Sequence, residues 1–218
     1  MNMGHRRQTG LTLVELLVAI SIGAVLSVLL VMTWLSLSSS YSMTTRTSEA
    51  GELARDAVSR LSREIRDAEP NPVSGYPAIV EFGPTSIDFT TTFNQENNDQ
   101  PLPTPVLTRY VYLLDEEAGE QTLHRLRDTD GNGDFDRDDL VVKNLRNYTK
   151  VNGVWTLTTD PFTYLRLDLE TREPVVAPWE TPPKYIALVQ VHLLVQMPGN
   201  RPRPSDLTTT VQLRNQAQ

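Results

Sequence analysis

Apolar and polar positions divide the chain into two regimes. From Leu11 to Leu37 the sequence is apolar almost without interruption, and Glu15 is its one charged residue. As a helix these 27 residues span about 40 Å, more than the ~30 Å hydrocarbon core of a bilayer. A removable secretory signal has an apolar core of only ~7–15 residues and ends in a small-residue cleavage site, so this run reads as a membrane-spanning segment. Beyond the hydroxyl-rich stretch Ser36 to Ser42, apolar residues return at helical spacing: Ala50, Leu53, Ala54, Ala57, Val58, Leu61, Ile65 and Ala68. The opposite face offers the i,i+4 pairs Arg60–Glu64 and Arg63–Asp67, and no proline intervenes before Pro70. The pattern predicts one helix from Leu11 to about Glu69, roughly 88 Å long, or two helices with a break near Ser40.

Pro70, Pro72, Gly75 and Pro77 end the helical pattern. The remainder of the chain reads as short strands between turn residues: 78–82, 86–92, 107–114, 121–127, 140–149, 163–169, 184–196 and 207–214. Polar, proline-bearing loops occupy 94–105 and 198–205. A sheet covered on one face by the amphipathic half-helix buries both apolar surfaces together, which predicts an α+β head on a long helix. The expected boundaries are a leader at 1–10, a transmembrane half-helix at 11–37, an amphipathic half-helix at 38–69 and a β-rich head at 70–218.

Composition narrows the chemistry. The 218 residues carry a net charge of -7 and no cysteine, which excludes disulfides, thiolate metal sites and a cysteine nucleophile. The acidic body argues against a nucleic-acid backbone as main partner. Arg201 and Arg203 are the residues that would touch phosphates in a DNA-uptake role. His5, His124 and His192 are scattered, and the sequence contains no H-E-x-x-H, G-x-S-x-G or phosphate-binding glycine loop, so no enzyme is expected. Arg6 and Arg7 precede the apolar segment, which orients the N-terminus to the cytoplasm and the body outside.

A carboxylate within a spanning segment costs several kcal/mol unless it is protonated or finds a partner, so Glu15 calls for an explanation. Gly10-Leu11-Thr12-Leu13-Val14-Glu15-Leu16-Leu17-Val18-Ala19-Ile20 closely resembles the class III signal of type IV prepilins: a short basic leader ending in Gly, then an apolar helix with Glu at its fifth position. The resemblance implies that a prepilin peptidase cuts between Gly10 and Leu11 on the cytoplasmic face and N-methylates the new amino terminus. The family usually has Phe where this chain has Leu11. The cationic amine of one processed subunit would then meet Glu15 of its neighbour and set the axial register of assembly. Beyond the N-terminus, the stretch LARDAVSRLSREIRDAE, the RYVYLLDEEAG…LHRLRD hairpin and the closing VQLRN are similar to minor pilins of the PilW kind and to the J-class pseudopilin of type II secretion. The implied fold is that of a type IV pilin, a long N-terminal helix on an antiparallel sheet.

The segment 128–139 has the spacing of a calcium loop, with side-chain oxygens on Asp128, Asp130, Asn132, Asp136 and Asp139 at positions 1, 3, 5, 9 and 12. Gly133 stands at position 6, and the carbonyl of Asp134 would supply position 7. The closing Asp resembles the calcium loops of dockerins, and Phe135 is placed to anchor the loop to the core. Between two strands such a loop suits a structural clamp. Asn147-Tyr148-Thr149 fits a glycosylation sequon.

These readings predict a minor pilin or pseudopilin that is inserted as a single-span precursor and processed at Gly10. It would assemble through its apolar helix, at the inner-membrane platform and with other pilin subunits, into or at the tip of a type IV pilus or type II secretion pseudopilus. The competing expectation is an unprocessed, membrane-anchored, calcium-stabilised binding module outside the cytoplasm.

Overall fold

The computed structural model describes residues 12–93, 102, 104–168, 170–198 and 204–214. Gly10, Leu11, Arg201, Arg203 and nearly all of the loop at 94–105 lie outside the described residues. The chain divides into two compact units, Met1–Thr45 and Arg46–Gln218.

A single helix, α1, runs through Leu13–Arg66 without a break at the serine-rich stretch. In the first unit its side chains are exposed throughout, among them Leu16, Ile20, Leu26, Leu30 and Trp34. Three hydroxyls of its apolar run are satisfied within the helix, since Ser21, Ser27 and Thr33 each donate to the carbonyl four residues earlier at 2.8 Å. They therefore present no unpaired donor to an apolar surrounding. This segment is long and apolar enough to cross a membrane.

In the second unit α1 buries Ala50, Gly51, Ala54, Ala57, Val58, Leu61, Glu64 and Ile65. Small residues on this face let the helix approach the sheet closely, while Leu53, expected on the same face, is 39% exposed beside it. The helix stops three residues before the expected end. The Asp67 and Ala68 amides close its last turn on the carbonyls of Arg63 and Ile65, and the Glu69 amide turns away to the Thr90 carbonyl.

Five antiparallel strands come next as a meander: β1 Ile79–Gly83, β2 Ser86–Thr91, β3 Val106–Asp115, β4 Glu120–Arg127 and β5 Arg137–Val142. A small ribbon pairs β6 Tyr148–Val151 with β7 Val154–Leu157. A second sheet has the order β11-β10-β8-β9, built from Ser205–Gln212, Leu188–Val195, Phe162–Leu167 and Pro174–Val176. One core joins α1 to both larger sheets through Leu61, Ile65, Phe89, Tyr110, Leu123, Phe162, Val189 and Leu193. The architecture is α+β and pilin-like.

Three strand expectations are corrected. The single strand expected at 140–149 is two, β5 and β6. The chain leaves the sheet at Asn144, whose φ is 62°, and the buried Asn147 holds the crossing by donating to Thr159 and His192 carbonyls and accepting from the Leu194 amide. That burial also closes the Asn147 sequon to glycosylation in the folded head. The strand expected at 184–196 begins at Leu188, because Pro182 and Pro183 start a 3₁₀ turn over Pro183–Tyr185. The ribbon strand β7 and the edge strand β9 are additions to the expected strands, and Asn152-Gly153, with φ of 53° and 85°, is the turn that closes the β6–β7 hairpin.

Candidate functional site

The N-terminal candidate is built on the first turn of α1. Thr12 precedes the helix, and its hydroxyl accepts the Glu15 amide at 3.3 Å. The Glu15 carboxylate reaches back to accept the Thr12 amide at 2.9 Å and the Thr12 hydroxyl at 3.0 Å. This reciprocal arrangement is a capping box. It satisfies the amides of Thr12 and Glu15 and sets the start of the helix at Leu13. It also holds an exposed carboxylate on a helix end that is otherwise apolar. Thr12 thus has a defined task, which the spacing Thr-x-x-Glu signals in the sequence.

The second candidate is the acidic loop between β4 and β5. Asp128 is buried, and its carboxylate accepts the amides of Gly131, Asn132 and Gly133 at 2.7, 3.2 and 2.8 Å. The curl around it requires the left-handed backbone of Gly131 and Gly133, with φ of 76° and 94°. Asp130 accepts from the Asn132 amide and side chain, and the Asn132 side-chain oxygen accepts the Asp134 amide at 2.6 Å. Asp136 is held separately by the Thr129 hydroxyl and, second, its amide, which lower its pKa. Phe135 anchors the loop, but on a charge: the Arg109 guanidinium lies 4.8 Å from its ring while pairing with Asp88.

The end of the loop departs from the expected ligand set. Asp138 pairs with His124 at 2.6 Å. Asp139 already belongs to β5 and accepts from Arg125 at 2.7 Å and from Arg137 at 3.2 Å. Partial burial opposes its charge, yet the hydrogen bond and charge of Arg125, with those of Arg137, hold its pKa below the ordinary value. The structure therefore gathers Asp128, Asp130, Asn132 and Asp134 in one curl and takes Asp139 out of it. Among the described residues no three His, Asp or Glu side chains are grouped to hold a metal ion. The curl follows the sequence spacing of a cation-binding loop over its first half and departs from it at its close.

Arg125 links this loop to the helix. On β4 the inward positions are Gln121, Leu123, Arg125 and Arg127. Arg125, 1% exposed, donates to Glu64 of α1 at 2.7 Å as well as to Asp139. Glu64 is likewise 1% exposed and has Arg60 3.6 Å away. The sequence pattern places Glu64 on the polar face with Arg60. The ion pair with Arg60 forms, but Glu64 lies inside. The other expected helix pair is replaced: Asp67 meets Arg214 at 3.3 Å, and Arg63 lies over the Phe93 ring at 5.8 Å.

Comparison with known proteins bears on the N-terminal candidate. No match was found among curated proteins. Residues 5–31 match the family model of the prokaryotic N-terminal methylation motif. The matched stretch contains Gly10, Leu11, Thr12 and Glu15, and a motif of this kind implies processing by a prepilin peptidase and assembly with other pilins. Together with the apolar half of α1 and the sheet-backed head, the match supports a type IV pilin-like, membrane-anchored protein.

Proposed function

We propose that the chain is a minor pilin or pseudopilin, cut between Gly10 and Leu11 and assembled through α1 into, or at the tip of, a type IV pilus or type II secretion pseudopilus. The observation that carries this reading is the first unit. Its side chains are exposed along the described part of the apolar segment, with Glu15 at the head of the helix within the processing motif. Such a helix has two apolar environments available: the bilayer before assembly, and the packed helices of a filament after it. The head supplies the surface presented outside, and the role is structural rather than catalytic. In a strain that makes the filament, processed chain should appear in the sheared filament fraction at a small fraction of the major subunit. Retention of all the chain in the membrane fraction would favour the anchored module. Equal abundance with the major subunit would refute the minor role.

Calcium belongs to the same proposal as a structural ion of the loop. Asp128, Asp130, Asn132 and Asp134 would hold it, and Asp136 would join on release from Thr129. The support is the spacing of oxygen side chains and the glycine-dependent curl around Asp128. Millimolar calcium should stabilise the head relative to chelator by about 2–3 kcal/mol at a hundredfold excess over Kd, read as a higher melting temperature. Asp130→Ala with Asp134→Ala should abolish that increment. Both are exposed, so the ion-free melting temperature should change little. Identical wild-type melting with calcium and with chelator would remove the ion.

A further inference from the structure

At the edge of the second sheet stands an aromatic cluster that neither the assembly helix nor the acidic loop uses. Trp179 lies just beyond β9 and stays 55% exposed. Its ring lies 6.1 Å from that of Tyr164, at 72°, and 6.2 Å from Phe82, which is 4.5 Å from Tyr164. The cluster is held firmly. Tyr164 is buried on β8 and donates its hydroxyl to the carbonyls of Ser86 at 2.8 Å and Gly83 at 3.2 Å. The turn after Trp179 is closed by the Thr181 amide on the Pro178 carbonyl. A cavity of about 370 Å³ opens here, lined by Asp160, Thr163, Tyr164, Val176, Pro178 and Trp179.

Asp160 indicates what the cavity takes. Its side chain is exposed and enters no ion pair or side-chain hydrogen bond among the described residues. An unpaired carboxylate repels anions. The aromatic wall offers few polar groups for a neutral sugar, whose hydroxyls each need a partner. A cation is favoured by both features, since the ring faces attract it through their quadrupoles and the carboxylate through its charge. Among cations, a guanidinium stacks flat on an indole and forks onto a carboxylate, and it is less strongly hydrated than an ammonium. We propose that this pocket receives an arginine side chain of a protein partner, with its guanidinium stacked on Trp179 and paired with Asp160. The proposal stands apart from the processing of the N-terminus and holds whether or not Gly10 is cut.

The test uses the full chain in maltoside micelles with its three tryptophans, Trp34, Trp155 and Trp179, replaced by 5-fluorotryptophan. The fluorine resonance of Trp179 is assigned from its loss in Trp179→Phe. N-acetyl-arginine amide should shift that resonance saturably and leave the other two in place. The citrulline analogue, which has the same shape and no charge, should not shift it. Asp160→Asn should weaken the arginine response by about threefold or more, as loss of an exposed ion pair implies. An unmoved resonance of Trp155, on β7, shows that the head of this variant is folded. No shift of Trp179, an equal shift with the citrulline analogue, or an undiminished response in Asp160→Asn would overturn the proposal.

Discussion

Replacing Arg125 with methionine will lower the stability of the head by about 3–5 kcal/mol, because it leaves Glu64 buried in the core without its main counter-charge. Both guanidinium branches are committed, one to Glu64 at 2.7 Å and one to Asp139 at 2.7 Å. Arg60, at 3.6 Å and a fifth exposed, compensates Glu64 only in part. A urea titration of the full chain followed by tryptophan emission measures the loss. The double variant Glu64→Leu with Arg125→Met should recover much of it, since the buried carboxylate is gone and two apolar side chains face each other. Asp139 tolerates that double change because Arg137 still holds it and it is partly exposed. A loss below about 1 kcal/mol in the single variant, the level of a surface pair, would mean that the Glu64–Arg125 contact does not hold the helix to the sheet.

Glu15→Ala will leave cleavage largely intact and reduce incorporation into filament by roughly tenfold or more, because an amine left without its carboxylate in an apolar core costs several kcal/mol. The capping box adds a control. Glu15→Ala removes both the charge and the acceptor that closes the first turn on Thr12. Glu15→Gln keeps an acceptor that suits the cap and removes the charge alone. If the charge sets the register, the two variants fail equally in sheared-filament yield. If the cap is what matters, Glu15→Gln is rescued. Normal incorporation of Glu15→Ala would end the register argument.

The helix and the meander are legible in the sequence because both rest on short-range periodicity. The apolar run needs no partner to be recognised, and the spacing from Ala50 to Ile65 names most of the buried face of α1 correctly. The alternating strands 107–114 and 121–127 agree within one residue with β3 and β4. Glu64 and Arg125 escape for a physical reason. Periodicity assigns a charge to solvent by default, and only a contact between residues 61 positions apart makes their burial tolerable. Asp139 is misplaced by the same pairing: motif spacing assigns it to the loop, while Arg125 draws it into β5. The ribbon carries a local signal, Asn-Gly between Val151 and Val154, which a single long strand assigned ahead of it obscures.

The motif at residues 5–31 makes processing the central claim, and the mature N-terminus tests it most directly. The full chain should be co-expressed with a prepilin peptidase and its N-terminal peptide read by mass spectrometry, beside a Gly10 substitution that blocks the cut. The account predicts a chain that begins at Leu11 and carries an N-methyl group in the wild type, and an intact leader in the Gly10 variant. An intact leader in the wild type, with a peptidase active on another prepilin in the same cells, would contradict it.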